Sequence, residues 1–157
     1  GTPGLEHRIG GLEKQDKTGN VSYDAANHQL MTDLRAAKTQ RIERELGPPV
    51  VEGADSGDVL IVGWGSTRGA IEAAGERLRM EGLAVSSTHL RWLNPLPPGL
   101  PELFARFDRV LVPELNMGQL SRVLRERFLL DVAQLNKVQG APFKASEIEA
   151  AARALIA

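Results

Sequence analysis

In Asp58-Val59-Leu60-Ile61-Val62-Gly63-Trp64-Gly65-Ser66-Thr67-Arg68-Gly69 an apolar run leads straight into a glycine-rich turn. Val59 to Val62 form an unbroken aliphatic run of the kind buried on both faces of a parallel sheet. Glycines at 63 and 65 let the backbone turn sharply as it leaves that strand. The spacing of Ile71, Ala74 and Leu78 then predicts a helix from about Thr67 to Glu81, with Gly82 at its exit. Strand, glycine turn and helix together are half of a βαβ unit.

Working outward, the same alternation continues. Ala84 to Leu90 reads as a second strand, and Asn94-Pro95-Leu96-Pro97-Pro98-Gly99 carries too many prolines for a helix or strand interior. A short helix over about 100–107 leads to a third strand, Arg109-Val110-Leu111-Val112, which Pro113 is expected to end. A helix over about 118–128 presents Leu120, Val123, Leu124 and Phe128 on one side. Val132-Ala133-Gln134-Leu135 is a weaker strand. Ser146 and Glu149 have the spacing of a capping box opening a last helix, whose stripe is Ile148, Ala151, Ala152 and Leu155. With Val50-Val51-Glu52 as a short edge strand, the expected fold is α/β: a three-layer α/β/α sandwich around a mostly parallel five-stranded sheet.

Before that domain the pattern is poorer. Residues 1–20 mix scattered glycines with charges and read as an irregular arm. From about Asp24 to Leu46 the sequence turns helical, with Ser22 or Asp24 able to cap it. Leu30, Leu34, Ala37, Ile42 and Leu46 supply an apolar stripe, and Gly47-Pro48-Pro49 is expected to stop it. The expected division is a connector arm and helix over 1–47 and an α/β domain over 48–157. The opening Gly1-Thr2-Pro3-Gly4, without an initiator methionine, suggests a piece of a larger protein.

Composition narrows the function classes. The 157 residues carry a net charge of −1, with 19 Lys and Arg against 20 Asp and Glu, so no basic excess points to nucleic acid. There is no cysteine, which removes disulfides, thiolate metal sites and a cysteine nucleophile, and accords with a reducing cytoplasm. No apolar run approaches the roughly 20 residues of a membrane span.

The glycine turn admits two readings. Gly63, Gly65, Ser66 and Thr67 can be a folding device, or they can hold a phosphate or carboxylate against the start of the following helix. The spacing is GxGxxxG, one residue off the dinucleotide fingerprint, and no Gly-Lys-Ser/Thr follows. His89 and Arg91 at the end of the second strand, with Glu114 just past the third, are candidates to share a crevice at the carboxyl ends of the strands. There a His and a Glu could exchange protons and an Arg could pair an anion; a purely structural network is the competing reading. Asn94 and Asn116 are turn residues. His7 and His28 lack metal-ligand spacing, so no metal site and no catalytic residue is assigned. Trp64 and Trp92 flank strand ends and suit an interface or a core equally.

Larger blocks carry a resemblance. Val59 to Gly82 resembles the C-terminal domain of transketolase-like thiamine diphosphate enzymes. The segments Gly63-Trp64-Gly65-Ser66, His89 to Pro97, Val112 to Leu120 and Asn136 to Phe143 look like the alpha subunit of 2-oxoacid:ferredoxin oxidoreductases, in its 2-oxoglutarate branch. So do Gly4-Leu5-Glu6-His7, Gly19 to Asp24, His28 and Met31. The resemblance implies a mixed sheet with an antiparallel first strand. It further implies a parent complex that oxidatively decarboxylates a 2-oxoacid, reduces ferredoxin and forms an acyl-coenzyme A. That complex uses thiamine diphosphate, magnesium, an iron–sulfur cluster and coenzyme A, with the beta subunit and the rest of the alpha subunit as partners. None of these cofactors is expected in this piece, which has no Gly-Asp-Gly motif and no cysteine. Its expected role is structural, with coenzyme A or anion binding by the glycine turn as the alternative.

Overall fold

A computed structural model describes residues 2–6 and 10–156. His7 lies outside them. The chain divides into two compact units, Gly1–Glu45 and Leu46–Ala157.

The larger unit is an α/β sandwich. Its strands are β1 (Val51–Glu52), β2 (Gly57–Trp64), β3 (Val85–Leu90), β4 (Phe107–Glu114) and β5 (Val132–Asn136), in the order β1-β3-β2-β4-β5. All neighbours are parallel except β1 and β3, which run antiparallel through Val51↔Thr88 and Glu52↔Ser87. The helices are α2 (Arg68–Met80), α3 (Leu100–Phe104), α4 (Gln119–Phe128) and α5 (Ala145–Ile156). Alternation along the central strands sorts the core into two layers. Leu60, Val62, Val110 and Val112 pack with Leu100, Leu103, Leu120 and Leu124 of α3 and α4. Val59, Ile61, Val85 and Leu111 pack with Ile71, Ala74, Leu78 of α2 and Ile148, Ala152 of α5.

Gly63 sets the spacing of β2 and α2. A Cβ there would lie 2.4 Å from Ile71 Cδ1 and 3.0 Å from Thr67 Oγ1, so only glycine lets the helix close onto the strand. The Asn94–Pro95 bond in the proline-rich connection is cis.

Two local expectations for this unit are corrected. Pro113 does not end its strand: β4 continues through Pro113↔Leu135 and Glu114↔Asn136. The Glu114 carbonyl accepts from Lys137 N beyond β5, so the neighbouring Pro113 turns its nitrogen toward β2. There the pairing with β4 has already finished at Ile61↔Leu111, and no ladder amide is missed. The last helix is capped two residues earlier than the Ser146–Glu149 box, because Glu147 reaches back to Lys144 N at 2.7 Å. Glu149 instead pairs with Arg77 at 3.1 Å.

In the smaller unit, residues 13–22 are not irregular. They turn back on themselves through a Lys14↔Val21 bridge, Gln15 N to Asn20 O and Ser22 N to Glu13 O. A helix, α1 (Ala25–Arg41), follows, with Asp24 accepting from Asn27 N as its cap, and it passes into a single 3-10 turn at Ile42–Glu45. Leu30, Leu34 and Ile42 of the apolar stripe expected along it are exposed, and α1 has no buried residue among those described.

Candidate functional site

A strand order that runs from β2 outward to β3, and then returns to β4 on the other side of β2, has its switch point between β2 and β4. The loops after these two strands diverge and open a crevice at their carboxyl ends, where ligands gather in such sheets. The crevice encloses about 340 Å³ and is lined by Trp64, Gly65, Ser66, Thr67, Leu115, Asn116 and Gln119.

Its first wall is the glycine turn. β2 ends at Trp64, a 3-10 turn covers Gly65–Thr67 with Gly65 at φ +60°, and α2 begins at Arg68. The buried Thr67 hydroxyl donates to Trp64 O at 2.9 Å and accepts from Trp64 N at 3.3 Å. It is therefore committed to closing the turn. Ser66 is exposed, and its hydroxyl makes no hydrogen bond among the described residues.

The second wall rests on Glu114, the last residue of β4, whose side chain is fully buried. Its carboxylate collects five donors. Oε1 accepts from Leu120 N at 2.8 Å, Trp64 Nε1 at 3.2 Å and Asn116 Nδ2 at 3.2 Å. Oε2 accepts from Ser121 N at 3.0 Å and Ser121 Oγ at 2.8 Å. Burial by itself would raise the pKa of this carboxyl. The amides of Ser121 and Leu120 and the Ser121 hydroxyl override that and hold it below the usual carboxylate range. Asn116 Oδ1 accepts from Gly118 N and Gln119 N at 2.8 and 2.9 Å. The free amides that a helix start ordinarily offers are thus filled at α4 from within. Gly118 seals the arrangement at φ +82°, where a Cβ would meet Gln134 Oε1 at 2.5 Å.

His89 is not in this crevice. Side chains alternate along a strand, and Leu90 belongs to the core layer of α3 and α4, so His89 points to the α2 side while Glu114 points to the α4 side. It sits half-buried beside Gly63, in a cavity of about 10 Å³ bounded by Glu52, Arg68, Glu72, Ser87 and Thr88. Its Nδ1 is buried and meets no hydrogen-bonding group among the described residues. Burial, and then the nearby Arg68 guanidinium, push its pKa below the ordinary histidine value. Arg68 itself pairs with Glu72. Arg91 is exposed past the end of β3. The structure therefore brings Glu114, Asn116 and Gly65–Thr67 together and leaves His89 on the opposite face of the sheet, beside Gly63. Ser121 and Gln119 are partners the sequence did not single out, and Trp64, which it read as an interface or core residue, donates to Glu114. The one available signal was an acidic residue one proline beyond the apolar run Val110-Leu111-Val112.

Among the described residues no group of three or more His, Asp or Glu could hold a metal ion, and no helix is long and apolar enough to cross a membrane.

Comparison with known proteins gives the setting. No family model matches the chain. It is 46% identical over its whole length to the 2-oxoglutarate oxidoreductase subunit KorA of Mycobacterium tuberculosis, covering 24% of that protein. It is 34% identical to subunit alpha of 2-oxoacid:ferredoxin oxidoreductase 1 of Aeropyrum pernix, over 71% of this chain and 19% of that one. Among solved structures, the 2-oxoglutarate:ferredoxin oxidoreductase of Magnetococcus marinus, solved with 2-oxoglutarate, coenzyme A and succinyl-CoA bound, superposes with a TM-score of 0.88 at 33% identity. That match covers all of this chain and 28% of the other. A split-gene transketolase, described as an inactive beta4 tetramer, shares the fold of 68% of the chain at a TM-score of 0.54 and 21% identity, over 41% of its own length. The chain spans a fifth to a quarter of the curated relatives it matches. Full-length identity to a curated subunit and a superposition that leaves out no part of the chain place it, as a portion, in the alpha-subunit family of the 2-oxoacid:ferredoxin oxidoreductases.

Proposed function

We propose that the chain is a structural and assembly domain of such an alpha subunit, corresponding to its C-terminal part, in an enzyme that acts on 2-oxoglutarate. The 1–47 arm and helix and the 48–157 α/β domain serve as connector and scaffold. The catalytic step belongs to the parent complex in the cytoplasm, with the beta subunit and ferredoxin as partners and thiamine diphosphate, magnesium, an iron–sulfur cluster and coenzyme A as its cofactors. The residues present do not fit a thiolate-ligated cluster, since there is no cysteine, and no step of the chemistry is assigned to them.

One observation carries this reading: Glu114, the buried acid behind the crevice wall, already accepts from five groups of its own domain. A carboxylate held that way anchors loops; a proton carrier needs a free lone pair and a pKa near the working pH. His89, the other titratable candidate, faces the opposite side of the sheet.

A second reading has its own support. The exposed, unpaired Ser66 hydroxyl beside the amides of the Gly65–Thr67 turn is suited to a phosphate of coenzyme A. The ionised Glu114 behind Trp64 and the committed Thr67 hydroxyl weaken it.

Both readings are checked on the purified chain. The assembly reading expects no 2-oxoglutarate-dependent reduction of a viologen dye by the chain alone, and turnover by the chain alone overturns it. Titration calorimetry with coenzyme A is expected to give no heat above buffer. Saturable heat that Ser66→Pro abolishes would transfer the role to the binding reading.

A further inference from the structure

The strongest surface feature lies on α1, outside the crevice. Polar groups on one side of this helix hold the hairpin of residues 13–22. Asn27 accepts from Asp16 N and donates to Lys14 O, His28 bonds to Glu13, and Arg35 grips both oxygens of Glu13 at 3.1 Å. At 3.6 residues per turn, Asn27, His28 and Arg35 share one face. Ala26, Leu30, Leu34 and Ala37 form a second stripe roughly a third of a turn away. All four are exposed, Leu30 to 44% and Leu34 to 42%. A helix of this length that buries nothing is marginal in water, because helices in proteins are held chiefly by packing one face. Yet the Magnetococcus marinus enzyme superposes on the whole chain, this unit included.

Resting on the assembly reading above, we infer that the Ala26–Leu30–Leu34–Ala37 stripe is a docking surface, and that its occupant is the remainder of the same alpha-subunit polypeptide. Size selects the occupant. The stripe runs roughly 17 Å along the helix and about 10 Å across it, well short of the about 800 Å² per partner that a stable separate complex buries. A second copy or an independent subunit would gain too little from it. A segment of the same chain needs far less area, because covalent connection raises its effective concentration. The relatives supply such a segment, since this chain matches only a fifth to a quarter of their length.

Hydrogen–deuterium exchange, on the complete alpha subunit and on this 157-residue chain, tests the assignment. Peptides covering Ala25–Arg41 are expected to exchange at least about tenfold more slowly in the complete subunit, while peptides covering Val59–Val62 are equally protected in both. Leu30→Glu with Leu34→Glu in the complete subunit is expected to remove that difference and leave Val59–Val62 unchanged. Equal exchange of α1 in the two proteins overturns the docking surface. So does protection that rises with concentration of the 157-residue chain, which would identify a second copy, or protection that appears only on adding the beta subunit. The assembly reading fails on a separate measurement, dye reduction by the chain alone, so the two failures are told apart.

Discussion

Glu114 is a charge removed from water and repaid in hydrogen bonds. An ionised carboxylate buried without partners costs several kcal/mol. Here two helix amides, a hydroxyl, an indole N–H and an amide N–H replace the lost hydration. Because the folded-state pKa is lowered, this group stabilises the fold fully above the ordinary carboxylate value and loses that contribution as the pH falls through the folded one. Glu114→Gln keeps the shape but turns an NH₂ toward donors, leaving at least one unpaired, and is expected to cost about 2–3 kcal/mol at neutral pH. Urea unfolding at pH 7 and at pH 3 measures it: the wild-type advantage over the variant should shrink on acidification. A variant as stable as wild type at pH 7 would mean that the carboxylate charge is not what holds the loops. The sequence made Glu114 conspicuous but hid its role. Its partners lie up to 50 positions away in the chain, at Trp64, and up to seven positions ahead, at Ser121, and neither separation follows a local period.

At the scale of elements, the strands and helices of the α/β domain were legible because each is written in apolar spacing. Val59 to Val62, the stripe Ile71-Ala74-Leu78 and the stripe Ile148-Ala152 all point where the core lies. What spacing did not carry was decided by polar groups. Pro113 stays in its strand because its nitrogen faces a finished ladder, and the last helix takes its cap from Glu147. The 13–22 hairpin is the clearest case. It has little apolar patterning, and it is ordered by Asn27, His28 and Arg35 acting on its backbone and on Glu13. The Arg35 guanidinium, and then His28, hold the Glu13 carboxyl at about 2. A lowered value again means stabilisation that is present above the ordinary 4.5 and lost as the pH falls toward about 2. Carboxyl ¹³C NMR of the complete alpha subunit should show Glu13 titrating near 2. In Arg35→Met it should move up toward the ordinary value, and the Gln15 and Ser22 amide signals should broaden. Glu13 titrating at its ordinary value in the unaltered protein would mean that the guanidinium fork is not maintained in solution.

For the whole molecule, the two units are built on different physics, and this predicts how the chain divides. Leu46–Ala157 contains both core layers, all five strands and every residue of the crevice. Gly1–Glu45 contains a helix without a buried side chain and a hairpin held by polar contacts. Cooperative unfolding follows buried apolar surface, so the cooperative transition of the 157-residue chain belongs to the larger unit. A chain beginning at Leu46 is expected to melt within about 4 °C of the longer one, a difference of less than about 1 kcal/mol for a domain of this size. Its near-ultraviolet circular dichroism should persist, because Trp64 keeps its bond to Glu114. A truncated chain that aggregates, or that loses its cooperative melt, would show that the connector is part of the folding unit. The outcome bears on the relatives as well. If the α/β domain folds alone, the arm and helix are free to serve as the clasp that ties it to the rest of a longer subunit, and substitutions at Leu30 and Leu34 should weaken that tie without lowering the melting temperature of the domain itself.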